Sequence, residues 1–145
     1  MRAVVQRVRQ AHVAVAEETV GQIGAGLLVL LGVGREDGAE DSAKLARRIV
    51  GLRIFDDADG RMNLSLAEVG GEMLVVSQFT LWGDVNSGRR PSWGRAAPAE
   101  VAEPLYRDFV EAVRAMDVTV AEGRFGADMD VHLTNQGPVT LLFDG

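Results

Sequence analysis

Two continuous apolar runs constrain this chain more than any other feature. They are "LLVLLGVG" at 27–34 and "MLVVSQFTL" at 73–81. Neither alternates polar with apolar residues and both carry valine, so each reads as a strand buried on both faces. A helix between them is expected from Leu45, Ile49 and Leu52, spaced i, i+4 and i+7, with Asp41 or Ser42 capping its start. A second helix is expected over 98–116, where Val101, Leu105, Phe109, Val113 and Met116 form one apolar stripe. Pro98 suits a first helical position. Pro104 does not suit an interior one, so either the first turn is kinked or the regular helix starts there.

Shorter strands surround this frame. Residues 2–15 are valine-rich and partly alternating, which reads as one or two strands broken near Arg9-Gln10. Glu17-Glu18 is a turn, and Val20 to Ile23 closes a hairpin. "RIFDDADGRMN" leaves the first helix through a turn at Asp59-Gly60. Val118 to Val120, residues 129–135 and residues 139–143 complete the strands. The last two meet at Gly137-Pro138, where proline removes a ladder donor. Either that pair is a turn and nothing more, or the chain there is held in an unusual shape for a purpose.

The order of elements points to an α/β, α+β-like, single domain over 1–145. Its core is a mixed β-sheet sandwich or barrel-like sheet with two main helices packed outside. Two helical stripes cannot cover both faces of so many strands. The second face is expected to find cover from another sheet or from another subunit.

Composition narrows the chemistry. The chain holds no cysteine and two histidines, so no thiolate metal site or disulfide is possible, and no metal or cofactor is expected. His132 sits between Val131 and Leu133, on the opposite face of its strand, with Asp130 and Thr134. No apolar run is long enough to cross a bilayer, and no basic segment followed by an apolar one opens the chain. A soluble, cytoplasmic protein is expected, with no membrane partner. The formal charge of −6 disfavours nucleic acid as a bulk property, but binding depends on local patches. Arginines cluster at 2, 7 and 9, at 47, 48 and 53, and at 89, 90 and 95.

Three stretches carry candidate chemistry. "SQFTL" (77–81) ends a buried strand with two hydroxyls, but it lacks the glycine elbow of a serine hydrolase, and neither histidine announces a carboxylate partner. Ser77 and Thr80 either act as nucleophiles or satisfy backbone groups at a strand end. "GVGREDG" has neither the spacing nor the lysine of a phosphate-binding loop. "GDVNSGRRPSWGRAA" (83–97) is the longest loop, and its arginines beside an indole suit phosphate contacts and base stacking.

Taken together, "SQFTL" and "NQGPVT" (135–140) resemble the two signatures of the D-aminoacyl-tRNA deacylase family, of the D-tyrosyl-tRNA deacylase type. "MRAVVQRV", "LLGVGRED", "RIFDDADGRMN", "RRPSW" and "GRFGADMDVHLTNQGPVTL" are similar to family segments in the same order, so the resemblance covers essentially the whole chain. Gln136, where an acidic residue is more usual, and Trp93, where phenylalanine is, depart from the pattern.

The resemblance implies a homodimer with a β-sheet core, outer helices and two sites at the subunit interface. It implies hydrolysis of the ester between a D-amino acid and the 3′-terminal ribose of tRNA, with glycyl-tRNA also accepted. It implies a cis bond at Gly137-Pro138 that turns two successive carbonyls into the partner's pocket and excludes the Cβ of an L-amino acid. Ser77, Gln78, Phe79 and Thr80 are then expected to line the pocket, with the Phe79 and Thr80 N–H groups receiving the oxyanion. Asn135, Gly137, Pro138 and Phe125 are expected at the substrate, and Arg7, Arg89, Arg90 and Arg95 at phosphates of the aminoacyl-tRNA acceptor end. A non-catalytic RNA-binding module, a serine-type esterase and a ligand-free structural dimer are the alternatives.

Overall fold

The computed structural model describes all 145 residues. Strand β1 (Arg2–Val15) is the spine of the sheet. It turns through Ala16 and Glu17 into β2 (Glu18–Ile23). Both turn residues have positive φ, 48° and 68°, the requirement of the tight hairpin turns that match strand twist. After a break at Gly24-Ala25, β3 (Gly26–Gly32) continues along the same edge of β1. Helix α1 (Ala39–Val50) follows, then a two-strand ribbon of β4 (Phe55–Asp56) and β5 (Met62–Leu64). Strand β6 (Glu72–Ser77) returns parallel to β3. A 3-10 turn (Phe79–Trp82), the long loop and α2 (Ala99–Arg114) lead to β7 (Val120–Glu122), parallel to β6. Strand β8 (Asp130–Asp144) closes the chain on the free edge of β1, antiparallel to it.

The two long apolar runs sit where their composition demands. β3 and β6 are central neighbours, and one face of each packs Leu27, Val29, Leu31, Met73 and Val75 under α1 and α2. The other face packs Leu28, Leu74 and Val76 with Val8, Ala11, Val13 and Ile23 in a second, smaller core. The sheet therefore covers its own second face by curling. The backbone of Gly21 on β2 packs directly on that of Glu122 on β7 and nearly closes a barrel. Cover from a second sheet or subunit is not needed for this part of the sheet.

Several boundaries differ from the sequence expectations, each for a local reason. β1 is one strand, not two. Its inward residues are Ala3 and Val5, then Val8, then Ala11 and Val13, so the parity changes near Arg9-Gln10, where the pairing with β8 shifts register. The expected break is a bulge. Helix α1 starts after Gly38, earlier than Asp41. Asp41 Oδ2 still serves the helix start by accepting the Gly38 N–H at 2.8 Å. Ser42 is buried, and its hydroxyl donates to Leu105 O of α2 at 2.9 Å. Leu52 lies beyond the end of α1.

Helix α2 runs unbroken through Pro104, and its buried face is Ala102, Tyr106, Phe109, Val110 and Val113. Val101 is 41% exposed. Residues four apart advance about 40° around a helix, so a stripe written at that spacing drifts off the core. The strand read over 73–81 ends at Ser77: Gln78 N–H makes one last bond to Leu31 O at 2.8 Å, and the chain then coils into the 3-10 turn. The strand expected at 118–120 begins at Val120. No helix is long and apolar enough to cross a membrane.

Residues 129–135 and 139–143 are one strand rather than two strands joined by a turn. Gln6 faces Thr140 and Val8 faces Asn135, so residues 136–139 stand opposite Arg7 alone. Gly137-Pro138, whose peptide bond is cis, is the tip of a bulge that leaves the edge of the sheet and returns to it.

Candidate active site

The bulge is tied down at its base. Asn135 Nδ2 donates to Arg7 O and to Val139 O, both at 3.0 Å, which closes the neck from inside. Thr140 Oγ1 donates to Asn135 Oδ1 at 3.3 Å. Arg7 reaches under the bulge from β1. Its guanidinium donates to Gln136 O at 3.2 Å, to Ile54 O at 2.7 Å and to Asp56 Oδ1 at 3.3 Å. Gly137 has φ +120°, and a Cβ there would lie 2.9 Å from Val139 Cγ2 and 3.0 Å from Arg7 Nη2. Gly137 and Pro138 themselves face solvent. The phosphate-facing arginine expected at position 7 is thus 7% exposed and spent on the chain's own carbonyls and carboxylate. Asn135 likewise directs its amide nitrogen into the neck of the bulge.

A cleft of about 550 Å³ opens elsewhere, between the C-terminal ends of β3 and β6, the start of α2 and the segment before β8. Ser77, Gln78 and Phe79 form one wall, and Phe125, Asp128 and Met129 the other. Tyr106 forms the floor: its hydroxyl donates to Val75 O at 3.0 Å, and its ring meets Phe125 at 5.7 Å between centroids. Burial, with Glu122 adding in the same direction, pushes the Tyr106 phenol well above its ordinary pKa, so it stays neutral. Gln78 Nε2 is hydrogen-bonded to Thr80 Oγ1. Phe79 and Thr80 are the first residues of the 3-10 turn, so their N–H groups have no acceptor within it.

The structure thus gathers Ser77, Gln78, Phe79 and Phe125 around one cleft, with Thr80 beside it. It does not bring Asn135, Gly137 or Pro138 to that cleft, since none of them lines it. Arg89, Arg90 and Arg95 are exposed on the loop after the 3-10 turn. The base of this loop is anchored twice. Asp84 and Ser92 exchange backbone hydrogen bonds at 2.9 and 3.1 Å. Arg95 stacks 5.1 Å from the ring centroid of Trp82, which Arg2 also covers, at 4.3 Å.

Sequence reasoning missed Tyr106, Met129 and the Arg2–Trp82–Arg95 stack. Tyr106 was detectable as the one tyrosine in the chain, on a helix, but the drifting stripe hid its inward position. His12 and His132 face each other across β1 and β8 with rings stacked 4.3 Å apart, away from the cleft.

The cleft thus offers a neutral floor and N–H donors at a strand end, and the two histidines lie away from its hydroxyls. The family model described as D-Tyr-tRNA(Tyr) deacylase matches residues 4–144. A D-aminoacyl-tRNA deacylase of Desulfatibacillum aliphaticivorans is 60% identical over 99% of this chain and 99% of its own. One from Syntrophotalea carbinolica is 58% identical over 99% of this chain and 97% of its own. The solved structure of a protein named c-Myc DNA Unwinding Element Binding Protein is 40% identical and superposes with a TM-score of 0.94, covering 100% of this chain and 99% of that one. With a match that spans nearly every residue and relatives at this identity, the chain belongs to the D-Tyr-tRNA(Tyr) deacylase family, whose enzymes hydrolyse D-aminoacyl-tRNA.

Proposed function

We propose that the chain works as a homodimer in which the Gly137-Pro138 bulge of one subunit completes the cleft of the other. The observation that carries this reading is the bulge itself. It is held by hydrogen bonds from Arg7 and Asn135, yet it faces solvent and does not line its own cleft. A structure braced on one side and empty on the other is suited to meeting a second body. The long β8 also has an unpaired edge and an exposed Leu142, which favours a partner along it.

In the completed site the 3′-aminoacyl ester lies in the cleft. Water attacks the ester carbonyl, and the tetrahedral oxyanion is received by the Phe79 and Thr80 N–H groups. The ribose oxygen leaves with a proton, giving free amino acid and tRNA. Asp128 is the one carboxylate on the cleft wall and it is exposed, so in this reading the neighbouring ribose 2′-hydroxyl assists the water, and the protein's part is mainly orientation. Gln78 holds Thr80, and Ser77 lines the approach. Phe125 packs beside the ester end. The main chain of Gly137 and Pro138 forms a wall that receives the α-ammonium group and leaves no room for the Cβ of an L-amino acid. Side chains of D-amino acids point outward, so many are tolerated, and glycine passes because it has no Cβ. Arg89, Arg90 and Arg95 meet acceptor-stem phosphates. Arg7 acts by positioning the wall. The cytoplasm, where aminoacyl-tRNA is made and used, is the expected location.

The deciding experiment measures hydrolysis of matched D-tyrosyl-, L-tyrosyl- and glycyl-tRNA, with a 2′-deoxy terminal adenosine as control. Release from the D and glycyl esters only, slowed by the 2′-deoxy substitution, is the expected result. Equal cleavage of the L ester overturns the steric wall. A trapped acyl-enzyme overturns the water mechanism. A second reading, nucleic-acid binding without turnover, is favoured by the 40%-identical neighbour, which is named for binding a DNA unwinding element. Equal protection of all three esters would leave only that reading.

A further inference from the structure

Two aromatic side chains next to the cleft are exposed and yet fixed. Phe79 is 55% exposed and Trp93 42%. Their rings meet edge to face, 5.4 Å between centroids and 72° apart. The indole of Trp93 lies directly on Gly83, where an added Cβ would come within 2.7 Å of its ring. Gly83 and Trp93 flank the Asp84–Ser92 backbone bridge, and Trp93 O accepts from Ala96 N at 3.0 Å. An exposed indole without such support would sample many rotamers. This one packs against the Gly83 backbone and the Phe79 ring, outside the core clusters. Phe79 lines the cleft and Trp93 does not, so the pair reaches outward from the mouth of the site. Around it, Arg89, Arg90 and Arg95 are exposed on the same loop.

Rigid exposed aromatic faces beside arginines are what single-stranded nucleic acid binds: each base has a stackable face and each linkage a negative charge. We propose that Phe79 and Trp93 form a stacking platform for an unpaired base of the tRNA 3′ end, upstream of the nucleotide that carries the ester. The inference rests on the deacylase reading and deepens it. The terminal nucleoside and its ester occupy the cleft, and the next base of the single strand lies on the platform. The basic loop meets the phosphates between them. Because Phe79 also supplies a backbone N–H to the oxyanion site, a base held against its ring would fix that N–H relative to the ester. Stacking is indifferent to base identity, which suits an enzyme that serves many tRNAs.

The test is a cycle of Trp93→Ala and Trp93→Phe against an RNA minihelix esterified with D-tyrosine. Its upstream unpaired nucleotides are either intact or replaced by abasic units. For the unmodified protein, abasic replacement should lower kcat/KM by about tenfold or more, mostly through KM. Trp93→Ala should impose a similar loss on the intact RNA and no further loss on the abasic one, and Trp93→Phe should restore most of it. Penalties that multiply instead of overlapping would overturn the platform. So would a loss shared equally by D-tyrosyl-adenosine, which has no upstream base. A Trp93→Ala protein that sediments differently from the parent would assign the pair to a subunit interface instead. If the unmodified protein hydrolyses none of these esters, the deacylase reading fails. The platform is then judged by fluorescence anisotropy of the unacylated minihelix: a base-dependent affinity that vanishes in Trp93→Ala sustains it, and any other result rejects it.

Discussion

Arg7 is a cation with almost no water around it, in a strand that buries Val5, Val8 and Val13. A buried guanidinium is tolerated only where its donors are met, and here they are met by Ile54 O, Gln136 O and Asp56. The same contacts that neutralise its burial hold down the base of the 136–139 bulge. Gly137 lies against Arg7, at a φ of +120° that side-chain-bearing residues avoid, and an added Cβ would come within 3.0 Å of Arg7 Nη2. Gly137→Ala should therefore destabilise the protein by about 1–3 kcal/mol, through backbone strain and displacement of Arg7. Urea denaturation reads the stability. D-tyrosyl-tRNA hydrolysis, measured where the variant is still fully folded, should fall by far more than the unfolded fraction accounts for. An alanine variant with unchanged midpoint and unchanged turnover would show that neither the strain nor the geometry matters. Sequence alone pointed to this glycine, because a Gly-Pro pair between two strands is an anomaly for a sheet. It gave no sign that Arg7 was its support, since an arginine among valines at a chain start reads as a surface residue.

Among the elements, those with strong periodicity were legible and those built from irregular pairing were not. β3 and β6 were readable because leucine and valine without alternation leave no solvent face. The bulges in β1 and β8 were not, because a residue looped out of a ladder has the same composition as a break between strands. The 3-10 turn at Phe79–Trp82 was hidden for a similar reason: apolar residues past Ser77 extend the strand pattern while the backbone has already turned. Helix α2 shows packing overriding propensity. Pro104 lies inside it, where proline removes the N–H that would bond to Glu100 O, and the helix continues because Ala102, Tyr106 and Phe109 are held in the core. Pro104 itself is exposed, so no core contact requires a ring there. Pro104→Ala should restore that hydrogen bond and raise stability by about 1–3 kcal/mol, an upward shift in the thermal midpoint. A lowered midpoint would mean that the proline stiffens the start of α2 in a way the hydrogen-bond pattern does not convey.

At the scale of the whole molecule, the cleft and the braced bulge of one chain do not meet. The cleft is lined by the ends of β3 and β6, the start of α2 and residues 125–129 and 131 around the start of β8, whereas the braced bulge stands further along β8 and does not line it. Both motifs were visible in the sequence, but their separation within one chain was expected only through the family resemblance, because a motif by itself carries no information about which surface it occupies. If the halves are joined across a two-fold axis, damage to them should complement. Mixing a subunit altered in the bulge (Gly137→Ala) with one altered in the cleft (Phe125→Ala) under dissociating conditions, then restoring association, gives mixed dimers in about half the population. Each mixed dimer has one site assembled from two undamaged halves and one from two damaged halves. Activity should recover to roughly a quarter of the parent level, although neither variant alone is active. The mass of the restored species should be twice the 15.6 kDa chain, read by sedimentation. A site contained within one subunit would give no recovery at any mixing ratio, because every chain would carry its own lesion.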